Sequence, residues 1–322
     1  MTQRTGPGTP ASYAVVDLPG LPGLGSLYAK GAAGSLTKRP GTGAITLPTV
    51  AYRVTGIATG DTATSAHLDA YCRVVGEPSS DVLPAGFLHV LAFPLATAVM
   101  VRGDFPLPLL GMVHLRNHVR VTRPVRVGDT LEVRAWAEDV RPHRRGVQVD
   151  LVAEVSVEGP DGPGLAWRGV STYLAKGFRA PAAAGTAAEP AASESRDDWS
   201  PPLPTGRWSL GGGTGRAYGA VSGDRNPIHL SALSAKAFGF PRAIAHGMYT
   251  SARALAEVGP ARRGETYEWT VEFFKPVLLP GTVDVAIRRD GGRPGPGGGY
   301  VYDGWRSGKG TRHFTGTVAP LA

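Results

Sequence analysis

A chain of 322 residues is long for one hydrophobic core and comfortable for two domains. Its 42% hydrophobic and 19% charged residues place it with soluble globular proteins, and 45 glycines and 28 prolines predict ample loop and tail. The net charge of +8 is scattered, with no stripe and no interleaved aromatics, which argues against a nucleic-acid surface and fits a ligand carrying phosphates.

The first 45 residues are Gly- and Pro-rich and read as an N-terminal extension, within which LYAKGAAGSL can form a short helix. The opening MTQRTGPGTP has no apolar run of the secretory kind. Cys72 is the only cysteine, so no internal disulfide can form, and a reducing, cytoplasmic setting is expected. VLPAGFLHVLAFPLATAVMV, residues 82–101, has the length of a membrane span but holds Pro84, His89 and Pro94 and lacks anchoring flanks, so a buried core helix is expected. Four segments with period-2 alternation follow, HLRNHVRVT, TLEVRAWAEDV, VQVDLVAEVSV and AWRGVSTYLA, and read as strands. Residues 178–206 are dominated by Ala, Pro, Ser and Gly without periodicity and read as a linker between a domain at 46–177 and a second at 207–322. The second holds strands YEWTVEFFK, TVDVAIRRD, YVYDGWRS and TRHFTGTVA.

The two domains resemble each other. AYCRVVGEP at 70–78 matches AYGAVSGDR at 217–225, which sets Glu77 against Asp224 and Cys72 against Gly219. VLAFPLAT at 90–97 is matched to AIAHGMYT at 243–250, pairing Pro94 with Gly247, and His229 then falls opposite Val82. RPV and KPV lie at similar distances beyond. Each copy therefore predicts an antiparallel sheet wrapped round one apolar helix, an α+β fold made twice.

The chemistry concentrates in VSGDRNPIHL. Asn226 before Pro227 is a helix-start pair, with His229 in the first turn and Asp224 just outside it. Asp224 and Asn226 can be read as satisfying backbone N–H groups, with His229 an ordinary packed histidine. The repeat favours more: Asp224, His229 and the N–H of Gly247 at the start of GMYTSARALAEV occur together in one copy only, and such an N–H can hold a carbonyl oxygen as it gains negative charge. His246 can lie near that site or pack at the helix start. His67, His89, His114, His118, His143 and His313 read as structural or surface residues. No His, Cys or carboxylate pair shows zinc spacing, so no metal is expected. The GGGTG and GPGGG runs lack nucleotide-binding context and read as turns, with no cofactor implied.

YGAVSGDRNPIH followed by FGFPRAIAHGM resembles the MaoC-like, R-specific enoyl-CoA hydratase and 3-hydroxyacyl-thioester dehydratase family, most specifically over residues 214–250. The resemblance implies a double hot-dog fold whose N-terminal copy is degenerate and non-catalytic. Asp224 and His229 would be the acid/base pair, the Gly247 N–H an oxyanion donor, and Tyr218, Ser222, Asn226 and His246 supporting residues. The substrate would be a thioester of coenzyme A or of an acyl carrier protein, the reaction reversible dehydration of a 3-hydroxyacyl chain, and a homodimer is possible. Ser231 stands where the family often has Asp. Two other functions fit the same scaffold: a thioesterase-like hydrolase, against which the positioned His229 argues, and a non-catalytic acyl-thioester-binding subunit, against which the intact pair argues.

Overall fold

The computed structural model describes residues 8–39, 45–179, 199–291 and 298–321. Most of the linker read at 178–206, and most of the Gly-rich stretch after residue 290, lie outside these. The first copy runs β1 (Ala14–Asp17), α1 (Leu24–Thr37), β2 (Val50–Ala58), α2 (Thr62–Val75), α3 (Ala85–Met100), β3 (Val113–Val121), β4 (Thr130–His143), β5 (Gly146–Val157) and β6 (Gly164–Lys176). The second runs β7 (Gly206–Leu210), α4 (Thr214–Ser222), α5 (Pro227–Leu230), α6 (Ala232–Ala237), α7 (Gly247–Val258), α8 (Pro260–Arg263), β8 (Tyr267–Phe273), β9 (Gly281–Arg289), β10 (Tyr300–Arg306) and β11 (Thr311–Pro320).

Helix α3 is buried on all sides, with Phe87, Leu88, Leu95 and Val99 each at most 1% exposed, which explains its continuous apolar run. The sheet wraps it. Among the described residues no helix is long and apolar enough to cross a membrane. The expected α+β double hot-dog architecture is present, and its two sheets are joined edge to edge into one of 11 strands, ordered β1-β2-β4-β5-β6-β3-β8-β11-β10-β9-β7. The seam is the antiparallel pair β3 and β8, in register from Arg116↔Glu272 to Val121↔Tyr267. Pairing there closes the exposed inner edge that each copy would carry alone. At the far edge β1 runs parallel to β2, so the N-terminal extension adds a strand as well as α1.

The duplication is real in space, but half of its register differs from the sequence matching. Gly76 and Gly223 are equivalent, each ending a helix in the left-handed region at φ 76° and 72°, so Glu77 and Asp224 do correspond. Further on, Leu83 N–H donates to Val125 O at 2.8 Å and Ala245 N–H to Val277 O at 2.9 Å, and the isolated bridges Val82↔Arg126 and Ile244↔Leu278 flank them. Val82 is thus the counterpart of Ile244, not of His229, and Gly247 is the counterpart of Ala85, not of Pro94. Pro94 lies in the interior of α3. The helix begins eight residues after Glu77 in the first copy and twenty-three after Asp224 in the second. The extra length is α5 and α6, so His229 has no counterpart at all.

Candidate functional site

Helix α4 ends where Gly223 takes a positive φ, and the chain turns so that Asp224 faces inward. The backbone N–H of Asn226 donates to Asp224 Oδ1 at 3.1 Å, and that of Asp224 to Ser222 Oγ at 3.2 Å. Asn226 caps α5, accepting from the Ile228 N–H at 3.4 Å, with Pro227 at the first helical position. Two glycines one turn apart on α4 let this loop lie against the helix. A Cβ on Gly215 would run into the His229 carbonyl, and one on Gly219 would come within 2.9 Å of the Asp224 carbonyl. The second half of the GGGTG run is therefore a helix start under close approach rather than only a turn.

His229 is 8% exposed, and its Nδ1 lies 2.8 Å from the Ile244 carbonyl. A carbonyl only accepts, so Nδ1 carries the hydrogen and the neutral ring presents Nε2 as a lone pair. His246 Nε2 lies 2.9 Å from the Asp224 backbone carbonyl and donates in the same way, while its buried Nδ1 has no partner. The two rings stack, centroids 3.6 Å apart, and Tyr218 packs on His246 at 5.0 Å.

Burial pushes the His229 imidazole below its usual value, partly opposed by the Asp224 charge. It pushes His246 to about 3. Burial alone would raise the Asp224 carboxyl. Electrostatic interaction with the His246 and His229 imidazoles, a hydrogen bond from Tyr28 and the Asn226 N–H outweigh it and hold the group below the ordinary aspartate range. Near neutral pH the pair is a carboxylate beside a neutral imidazole.

Sequence reasoning missed Tyr28. It stands on α1, 196 residues from Asp224 along the chain, and its hydroxyl donates to Asp224 Oδ1. Burial and the adjacent carboxylate raise the Tyr28 phenol, so it stays a donor. No spacing or motif in one sequence ties a tyrosine in a Gly/Pro-rich extension to a loop so distant.

Gly247 is the first residue of α7, behind the capping position of His246. A Cβ there would stand 2.9 Å from the Phe273 ring, so any other residue requires that ring or the helix start to move. Tyr218, Ser222, Asp224, Asn226, His229, His246 and Gly247 all line one cavity of about 510 Å³. His89, His114 and Tyr173 of the first copy line it as well, so His89 and His114 do more than pack, and the exposed Arg144, Arg145, Lys176 and Lys275 stand at its rim. His67, by contrast, is tied to the Val221 carbonyl at 2.5 Å and His118 lies 3.5 Å from Glu268.

One donor atom each from Asp224, His229 and His246 lies within 4.8 Å of the others, close enough for a metal ion. The two imidazoles of this trio are stacked, their planes 23° from parallel.

Residues 213–299 match the MaoC like domain family. The chain is 36% identical over 256 residues, 80% of its length and 85% of the relative's, to 3-hydroxyacyl-thioester dehydratase X of Mycobacterium tuberculosis. The crystal structure of HtdX from that organism superposes with a TM-score of 0.69 at 34% identity, covering 84% of this chain and all of that one. A MaoC-like dehydratase from Phytophthora capsici, 18% identical, shares the fold with a TM-score of 0.59 over 84% of this chain and 95% of its own.

Proposed function

Since the chain belongs to the MaoC-like dehydratase family and is a hydro-lyase, we propose that it interconverts (R)-3-hydroxyacyl and trans-2-enoyl thioesters, with Asp224 and His229 as the acid/base pair and the Gly247 N–H as oxyanion donor. The observation that carries this reading is the convergence of all three on one cavity. In hydration, the Asp224 carboxylate and His229 Nε2 are two acceptors able to hold the two hydrogens of one water. As its oxygen bonds to C3, one of its protons passes to the pair and on to C2, so that hydrogen and hydroxyl add from one face. Dehydration is the reverse: C2 loses its proton to the pair, and the C3 hydroxyl leaves as water with a proton from it. The charge that gathers on the thioester oxygen meets the Gly247 N–H at the positive end of α7. Asp224 and His229 share one proton inventory, so the pair is treated as a coupled unit.

The cationic rim, drawn from both copies, suits the phosphates of coenzyme A or of a phosphopantetheine arm. The direct test is the absorbance of the enoyl-thioester band when the protein meets crotonyl-CoA. Asp224→Asn and His229→Gln should each lower kcat by about 10²- to 10⁴-fold with an unchanged thermal midpoint. Near wild-type hydration by either folded variant would remove that residue from the pair.

A further inference from the structure

The Asp224 carboxylate is held from outside both copies. Its hydrogen bonds among the described residues, from the Tyr28 hydroxyl and from the Asn226 N–H at 3.1 Å, both end on Oδ1. Oδ2 lies 3.8 Å from His246 Nε2, beyond hydrogen-bond reach, and keeps its lone pairs for a substrate proton. Tyr28 itself does not line the cavity, and it reaches Asp224 from α1 in the N-terminal extension. That helix is intrinsically weak. Its 14 residues include Gly25, Gly31 and Gly34, and no side chain caps its start at Gly23, so its order comes from what it touches.

Leu24, Tyr28, Gly31 and Ser35 follow one another at the spacing that shares one side of a helix. At one end Leu24 lies so close to Gly223 that a Cβ on that glycine would strike its Cδ1, and Tyr28 takes Asp224. At the other end the side seats on the loop that follows α3. A Cβ on Gly31 would run into Leu109 and stand 3.1 Å from Val101, and Ser35 Oγ accepts from the Leu110 N–H at 3.2 Å. Lys38, just past the helix, donates to the Leu107 carbonyl at 3.2 Å. One rigid element thus joins a loop of the first copy to the turn that carries Asp224 in the second. We propose that α1 is a brace that sets the Asp224 carboxylate in the chamber, with Tyr28 as the positioning residue and Gly31 as the seat that lets the helix lie close enough for its hydroxyl to reach Oδ1. Gly31 lies one turn from Tyr28 and lines no part of the cavity, so it acts on Asp224 only through the helix.

The kinetic side of this inference rests on the proposed acid/base role of Asp224, so the brace is also read without substrate. In protein labelled with ¹³C at the aspartate carboxyls, the Asp224 resonance is identified by its loss in Asp224→Asn. It should move in the same direction in Tyr28→Phe and in Gly31→Leu, whose side chain lifts α1 off Leu109. On crotonyl-CoA each variant should lower kcat by about tenfold or more with KM little changed. The double variant should be no slower than the slower single one, because both act through one hydrogen bond. If Gly31→Leu does not fold, Leu24→Ala takes its place, loosening the same helix at the Gly223 end. A moved resonance in a protein that does not hydrate crotonyl-CoA would leave the brace standing and remove the hydratase reading. An Asp224 resonance unmoved in the folded variant, a wild-type kcat there, or kcat losses that multiply in the double variant would overturn the brace.

Discussion

Tyr28 changes how the Asp224 carboxylate is held. Without it, Oδ1 would keep only the Asn226 N–H, and burial would act against ionisation with less opposition. A hydrogen bond to a charged group contributes about 1.5–3 kcal/mol, so Tyr28→Phe should lower kcat by about ten- to a hundredfold. The sign of the accompanying pH effect is fixed. Losing the donor raises the Asp224 pKa, the ionised form gives way to the acid at higher pH, and the limb of kcat/KM that belongs to Asp224 moves up. A Tyr28→Phe enzyme with wild-type kcat and an unmoved acid limb would reduce Tyr28 to a packing residue. At Gly247 the argument is steric. The Cβ of Gly247→Ala would press on Phe273, whose ring lies against His114 at 5.2 Å, and in the proposed reaction a shift of the helix start to relieve that contact carries the N–H away from the thioester oxygen. A kcat loss of about 10²-fold with KM little changed is expected, and steady-state kinetics on crotonyl-CoA would show it.

Among the elements, eight of the eleven described strands, the buried helix α3 and the start of α5 were legible in the sequence because each obeys a local rule: period-2 alternation, an unbroken apolar run, Asn before Pro; β1, β2 and β7 were not read as strands. The match of Glu77 with Asp224 was legible for the same reason, since each copy ends a helix at a left-handed glycine. The later register was not. A match of small and apolar residues slid α3 by nine positions against α7, because an all-round apolar helix has no periodicity to fix its phase, and only the hydrogen bonds of Leu83 and Ala245 reveal it. Nor was the inserted pair α5 and α6 legible as an insertion. That pair carries His229, and its seat on α4 depends on Gly215. In Gly215→Val the side chain would meet backbone, not a yielding side chain, so α5 must move away. Activity should fall by about 10²-fold or more while the thermal midpoint drops only modestly, as checked by kinetics beside differential scanning calorimetry. Loss of cooperative unfolding would instead make the contact part of the fold.

At the scale of the whole molecule, the N-terminal part is more than scaffolding: the extension holds Asp224 through Tyr28, and the first copy supplies His89, His114 and Tyr173 to the chamber and closes the sheet through the β3 and β8 seam. This concentration of buried imidazoles makes stability depend on pH in a definite direction. Burial lowers His89 to about 4, and lowers His114 and His246 to about 3. In the unfolded chain each returns to roughly 6.5. The folded state therefore excludes protons that the unfolded state binds, and the stabilisation is fully present above about pH 6.5 and is lost as pH falls toward the folded values. Each such histidine steepens the slope by up to about 1.4 kcal/mol per pH unit. Asp224, itself depressed, contributes only at lower pH and does not mask the window. The thermal midpoint should thus be flat from about pH 8 to about pH 7 and decline from about pH 6.5 to about pH 4. His114→Phe, which keeps an aromatic ring against Tyr173 where the imidazole now stacks at 4.6 Å, should lessen that decline by the share of one proton. Proton uptake on unfolding, measured calorimetrically in buffers of different ionisation enthalpy, separates this from carboxylate titration. An uptake unchanged by the substitution would show that His114 is already protonated in the folded protein.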